Sequence, residues 1–198
     1  MIILDIETSG LNPDKASIVS IGVIDFLDPN QTFYGESRIF HGAEINPQSL
    51  KVIGMTIEQI TDSSRQSVDD LLKKFLNWLV ERPNQTIAGQ NVHWDLDFMR
   101  KQCTRSGIDF RFGHRIIDLH TIAYTKFLEL GREIPLKYNR TDINLDDILT
   151  FAGLNQRLGS HNALEDAKLE AECFSRIIYG KNLLLEYNTF PIPEYLKR

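Results

Sequence analysis

Only two cysteines occur in 198 residues, Cys103 and Cys173. They lie far apart and match no metal or redox spacing, so the expectation is two free thiols in a reducing compartment. No apolar run is long enough to cross a bilayer, and no membrane association is expected. No signal or transit segment is visible, because the chain from Met1 onward reads as a core strand. These absences point to the cytoplasm. No internal repeat or low-complexity stretch stands out. Positive charge is scarce, with 22 Lys and Arg against 27 Asp and Glu and a formal net charge of -5. That balance disfavours tight, sequence-blind grip on long duplexes. It still admits a nucleic-acid enzyme whose carboxylates are neutralised by bound cations, with any basic patch local.

A hydrophobic content of 42% supports a substantial core in a single domain. The first third of the chain reads as strands over 1–7 and 18–26, with a weaker one over 32–40. The turn sequences Asn12-Pro13-Asp14 and Asp28-Pro29-Asn30 separate them. Short links between consecutive strands predict an antiparallel meander. Ser67-Val68-Asp69-Asp70 has the form of a capping box. It leads into Leu71, Leu72, Phe75, Trp78 and Leu79 at helical spacing, with Pro83 beyond the end. Short strands are expected at 86–89 and 114–118, and helices at 94–105, 119–130, 145–151 and 162–179. Gly180 is placed to end the last helix. The expected architecture is a mixed α/β sheet of five strands, three antiparallel and the rest parallel, with helices on its faces. Residues 1–180 form the domain, and 181–198 form a tail packing on it. Residues 131–142, with Arg132, Lys137 and Arg140, read as a solvated loop or as one that touches phosphates.

Met1-Ile2-Ile3-Leu4-Asp5-Ile6-Glu7-Thr8 places two carboxylates on one face of an otherwise apolar strand. Like charges that close repel, and burial raises the cost. A frayed strand end would relieve them, and so would a hard divalent cation. Asp95 falls in the first turn of the helix that follows Gly89. Taken alone it is an ordinary helix-start acid. His161 and Asp166 would lie roughly 140° apart on a continuous helix. They converge more easily if His161 sits on the loop before it, and Gly159-Ser160 suit such a turn. A histidine there is a natural general base. His41, His93, His114 and His120 have no comparable setting.

Asp5-Ile6-Glu7-Thr8, Asn91-x-x-Trp94-Asp95-x-x-Phe98 and His161-x-Ala163-x-x-Asp166-Ala167 together resemble the three motifs of the DEDDh 3′-to-5′ exonucleases. These are the relatives of the bacterial proofreading subunit. The motifs come in the family's order, and the resemblance covers Met1 to about Gly180. Thr8 to Pro13, Ile45-Asn46-Pro47, Gly54-Met55-Thr56 and Asp118-Leu119 are further matches. Trp94, where Phe is commoner, is a departure. The resemblance implies an RNase H-like fold and a metal site made of Asp5, Glu7, Asp95 and Asp166. It implies two divalent cations, Mg²⁺ or Mn²⁺, with Asp5 bridging them and His161 as the base. Glu7 and Asp166 would hold the ion that carries the attacking water, and Asp95 would support the other. By the same analogy Thr8, Leu11, Met55 and Phe98 would meet the terminal nucleotide. The implied substrate is the 3′ end of single-stranded DNA or RNA, with DNA slightly favoured and nucleoside 5′-monophosphates released. A polymerase or another nucleic-acid-processing protein is the implied partner class, and oligomeric state is unread. The chain looks less like an oligoribonuclease or ribonuclease T. The alternatives are a 3′-to-5′ exoribonuclease and a catalytically silent exonuclease fold used for binding.

Overall fold

The computed structural model of the protein describes residues 1–197. Its centre is a five-stranded sheet in the order β3-β2-β1-β4-β5. β1 (Ile2–Thr8), β2 (Ile18–Asp25) and β3 (Thr32–Glu36) form the antiparallel meander. β4 (Ile87–Gly89) and β5 (Ile117–Asp118) join parallel to β1. β2 is buried along its whole length, and β1 is buried except at Asp5. Both strands lie inside the sheet, covered on each face, which is why their sequences run almost continuously apolar.

The strand period of two sorts β1 between two cores. Ile2, Leu4 and Ile6 pack toward α3 (Val68–Val80) and α4 (His93–Arg105), among Leu71, Phe75, Leu96 and Met99. Ile3 packs on the opposite face with α5 (Leu119–Glu129), α6 (Leu145–Phe151) and α7 (Ala163–Tyr179). Asp5 and Glu7 continue the Ile3 series, so the strand aims both acids toward the start of α7. α7 can come that close because Gly22, the β2 partner of Asp5, has no side chain. A Cβ on Gly22 would lie 2.0 Å from the backbone carbon of Ala163. The fully buried Ala163, Ala167 and Ala171 keep the facing stripe of the helix equally small.

Two short helices, α1 (Pro47–Ile53) and α2 (Ile57–Thr61), occupy a stretch where the sequence pattern predicts none. Their punctuation is nevertheless present. Asn46 caps Gln48 and Ser49, Gly54 closes α1 at φ 67°, and Thr56 with Gln59 makes a capping box. Seven and five residues are too short to show a periodicity. β3 is also shorter than expected, ending at Glu36. The loop over 131–142 contains a hairpin, β6 (Leu136–Lys137) and β7 (Arg140–Thr141). The C-terminal segment makes two 3₁₀ turns, and Leu196 is buried against the α5–α7 core. Among the described residues no helix is long and apolar enough to cross a membrane.

Candidate active site

The cleft opens where β1 and β4 end, the usual place for a site in a parallel α/β arrangement. Its volume is about 640 Å³, and Asp5, Glu7, Asp95, Asp166 and His161 all line it. Asp95 reaches it from the first turn of α4. Parallel pairing of β1 with β4 stops at Ile3–Ala88. Beyond that point the Ile6 N–H donates instead to Asp95 Oδ1 at 3.2 Å. That bond fixes a carboxylate 89 residues away against the acid strand.

Asp166 is set by α7, whose N-cap Asn162 accepts from Leu164 N and Glu165 N. His161 lies on the loop just before that cap. Its backbone N–H donates to the Val52 carbonyl at 2.9 Å, tying the loop to the end of α1. Gly54, which follows α1, is packed so closely on this loop that a Cβ there would meet Ser160 Cβ at 2.6 Å. One ligand atom each from Glu7, His161 and Asp166 lie within 4.8 Å of one another.

Charge in the cleft is badly unbalanced. Burial, then the neighbouring acids Glu170, Asp95 and Glu7, hold the Asp5 carboxyl well above the usual carboxylate range. Burial raises Asp95 in the same way. Burial and the Asp166 charge push Glu7 up to about 8. Asp166 is raised by burial, against the pull of Arg157 and His161. Buried Glu7 Oε1 has no hydrogen-bond partner. An orphaned carboxylate oxygen among mutually repelling acids is the environment a hard cation relieves. The cleft therefore fits a divalent metal ion, and the ligand atoms it brings closest together are those of Glu7, Asp166 and His161.

Two residues of the site carried no signal in the motifs. Arg157 lines the cleft with its Nε 3.1 Å from Asp146 Oδ1 and its Nη1 3.0 Å from Asp166 Oδ2. The same Nη1 lies 3.3 Å from His161 Nδ1. The same nitrogen of the ring is 3.6 Å from Asp166 Oδ2, so His161 sits between the guanidinium and the carboxylate. Burial, and after it the Arg157 charge, lower the His161 pKa. Glu170, one turn beyond Asp166 on α7, is a fifth acid. Its Oε2 is buried without a partner, and burial followed by Asp95 raises its pKa strongly. A spacing of four between Asp166 and Glu170 could have flagged it, since both lie on one helical face.

The four residues expected at the terminal nucleotide divide. Leu11 is 70% exposed and stands at the cleft rim. Thr8 lines the cleft, although its hydroxyl is committed to the Gly10 carbonyl at 2.7 Å. Phe98 is only 2% exposed and belongs to the core, and Trp94 lines the cleft in its place with its ring 4.6 Å from that of Phe98. The two residues are one turn apart, and the helix turns only the earlier one outward. Met55 packs on the small α1–α2 core and lines a separate hollow beside Glu7 and His161, leaving Val52 and Ile53 on the main cleft wall.

A mixed sheet of this order, with acids from β1, α4 and α7 gathered at one edge, defines an RNase H-like nuclease fold. The family model described as Exonuclease (RNase_T) matches residues 2–174, and the chain belongs to that exonuclease family. DNA polymerase III PolC-type from Thermotoga petrophila is 27% identical over 89% of this chain. The matched region is only 12% of that polymerase, so the chain spans a small part of such relatives. Ribonuclease T from Haemophilus influenzae is 25% identical over 96% of this chain and 82% of its own length. That identity is lower than the 27% shared with the PolC-type polymerase. In structure, the nuclease domain of 3′hExo, a DEDDh family member, superposes with a TM-score of 0.68 at 19% identity, covering 98% of this chain and 95% of that one.

Proposed function

We propose that this chain is a metal-dependent 3′-to-5′ exonuclease that releases nucleoside 5′-monophosphates from single-stranded 3′ ends. The observation that carries the reading is the convergence of Asp5, Glu7, Asp95, Asp166 and His161 on one cleft, with a Glu7 oxygen left unpartnered. The four carboxylates would hold two divalent ions, Mg²⁺ or Mn²⁺. Such ions would supply Lewis-acid stabilisation of an in-line phosphodiester displacement. His161, whose pKa burial and then the Arg157 charge lower, takes the proton of the attacking water. Leu11 wedges against the last bases, while Trp94 and Val52 supply apolar walls for the terminal base and sugar.

DNA is placed slightly ahead of RNA as substrate, with a DNA polymerase as the partner class suggested by the PolC-type relative. The domain is assigned to residues 1–180 with 181–198 as its tail, and the cytoplasm is the assigned compartment. The test is digestion of 5′-end-labelled single-stranded DNA and RNA, side by side, with Mg²⁺, Mn²⁺ or Ca²⁺. Stepwise shortening from the 3′ end is expected with the first two ions, and little with Ca²⁺, whose looser coordination misplaces the nucleophile. Cleavage of a circular strand, or full activity in a chelator, would overturn the assignment.

A further inference from the structure

The β6–β7 hairpin carries two features that destabilise it and that the fold does not use. Its turn residues, Tyr138 and Asn139, both have positive φ, 52° and 60°. Asn tolerates that conformation, as does Gly, but a bulky aromatic does so only at a penalty. Tyr138 is also 88% exposed, so its ring recovers nothing by packing. On the strands, Lys137 pairs directly with Arg140. Like charges in directly opposed positions repel. A strained aromatic beside two facing cations suits a ligand that has flat rings and negative charge.

The same hairpin, through Leu136 and Thr141, borders a depression made of three neighbouring hollows that share lining residues. Asn91 and His93 line both the active-site cleft and a second hollow that holds Ile117 and His120. His120 and Thr121 in turn line a third, mostly apolar hollow with Tyr124 and Leu136. The His120 and Tyr124 rings lie 6.4 Å apart and nearly parallel. His120 Nε2 is 3.0 Å from Thr141 Oγ1, which ties the hairpin to the wall of the depression. Asp118, the acid at the near end, has its carboxylate on the Thr121 N–H at the start of α5.

We propose that this depression is the track for the upstream part of a single-stranded polynucleotide. Tyr138 is a stacking platform for a base, and Lys137 and Arg140 contact its phosphates. The proposal rests on the exonuclease reading, because the track would lead away from the cleft that takes the 3′ end, past the Asn91 and His93 that the cleft and the second hollow share. It also gives a net acidic protein the local basic element that an anionic chain needs.

The test compares strands of about 12 nucleotides, a length within the usual range for such sites, with dinucleotides. Oligothymidylate and oligouridylate are run in parallel to tell DNA from RNA. Binding is read by fluorescence anisotropy in Ca²⁺ and turnover in Mg²⁺. Tyr138→Asn and the double variant Lys137→Ser/Arg140→Ser should each weaken binding of the longer strand about tenfold. The advantage of long over short substrates in kcat/KM should shrink with it. The double variant should also lower the salt slope of binding by about 1.4, or about 0.7 for each phosphate it no longer neutralises. Tyr138→Asn should melt no lower than the parent, because Asn suits the turn, so weaker binding cannot be ascribed to unfolding. If the parent digests long strands and both variants keep its length dependence and salt slope, the track is overturned and the exonuclease reading stands. If the parent cleaves nothing, that reading falls and the track falls with it.

Discussion

Helix α7 carries two clusters of buried charge, and they are built in opposite ways. Near its C-terminal end, Arg176 and Glu172 are both 0% exposed. Arg176 Nε donates to Glu172 Oε1 at 2.7 Å, and its other nitrogens donate to the carbonyls of Ala152, Tyr187 and Phe190. Glu172 Oε2 accepts from the N–H groups of Leu183 and Leu184. Charges cancel and each carboxylate oxygen has a donor. At the other end Asp166 and Glu170 face Asp5, Glu7 and Asp95, with Arg157 as the nearby cation and two oxygens unpartnered. The first cluster is finished by the protein and fastens the C-terminal segment to the helix. The second is left incomplete, which is the condition for holding something from outside.

The largest expected effect comes from breaking the incomplete cluster. Asp5→Asn should reduce cleavage by a factor on the order of 10³ to 10⁶, the range seen when a residue acts as part of a catalytic unit. The metal-stripped variant should nevertheless melt at or above the parent, because an unpaired buried acid has been removed. A clear fall in melting temperature would place Asp5 in the structural class with Glu172.

Arg176→Ala should do the converse. It leaves Glu172 buried without its partner and should destabilise the fold by about 3–5 kcal/mol, measured by urea unfolding. Metal affinity at the far end of α7 should be little changed.

Gly22→Ala tests how the two clusters are held to the sheet. Pushing α7 away from β2 should destabilise by about 1–3 kcal/mol, and activity should fall further than stability because Asp166 moves with the helix. Parent-like turnover would mean that the helix start yields without moving the acid.

The last expected effect comes from pH. Glu7 is raised from 4.5 to about 8, so between those values the folded protein keeps a proton that the unfolded chain has released. Its stabilising contribution is complete below about 4.5 and is lost as pH rises through about 8. The metal-stripped protein should therefore melt lower as pH climbs across that window. Glu7→Gln should flatten the trend, and divalent metal should oppose it. A melting temperature that rises with pH would refute this assignment for the incomplete cluster.

Much of this contrast was legible in the chain itself. Period-two patterning gave the meander and put Asp5 and Glu7 on one face. Angular spacing moved His161 off the helix and onto a loop. The three motifs gave an RNase H-like sheet, and the sheet has that order. Arg157 was not legible, because no local pattern distinguishes a loop arginine that folds back on Asp166 from one in solvent. The Trp94 and Phe98 exchange was hidden for a related reason. Residues four apart share a helical face, but how far the helix is rolled against the sheet decides which of them meets the core. α1 and α2 were missed because so short a helix is specified by its caps and its packing, not by a period.

Sequence alone determined the order of the longer elements, the identity of the acids and the direction in which β1 aims them, since these follow from backbone geometry within single segments. Tertiary structure decided whether the acids meet. Gly22 admits α7, the Ile6 N–H recruits Asp95, and Val52 anchors the His161 loop, each of them joining segments remote along the chain. Local patterning sets which way a side chain points. Only the packed fold sets what it points at, because burial, not residue type, gathers ordinary carboxylates into a cluster whose pKa values are raised.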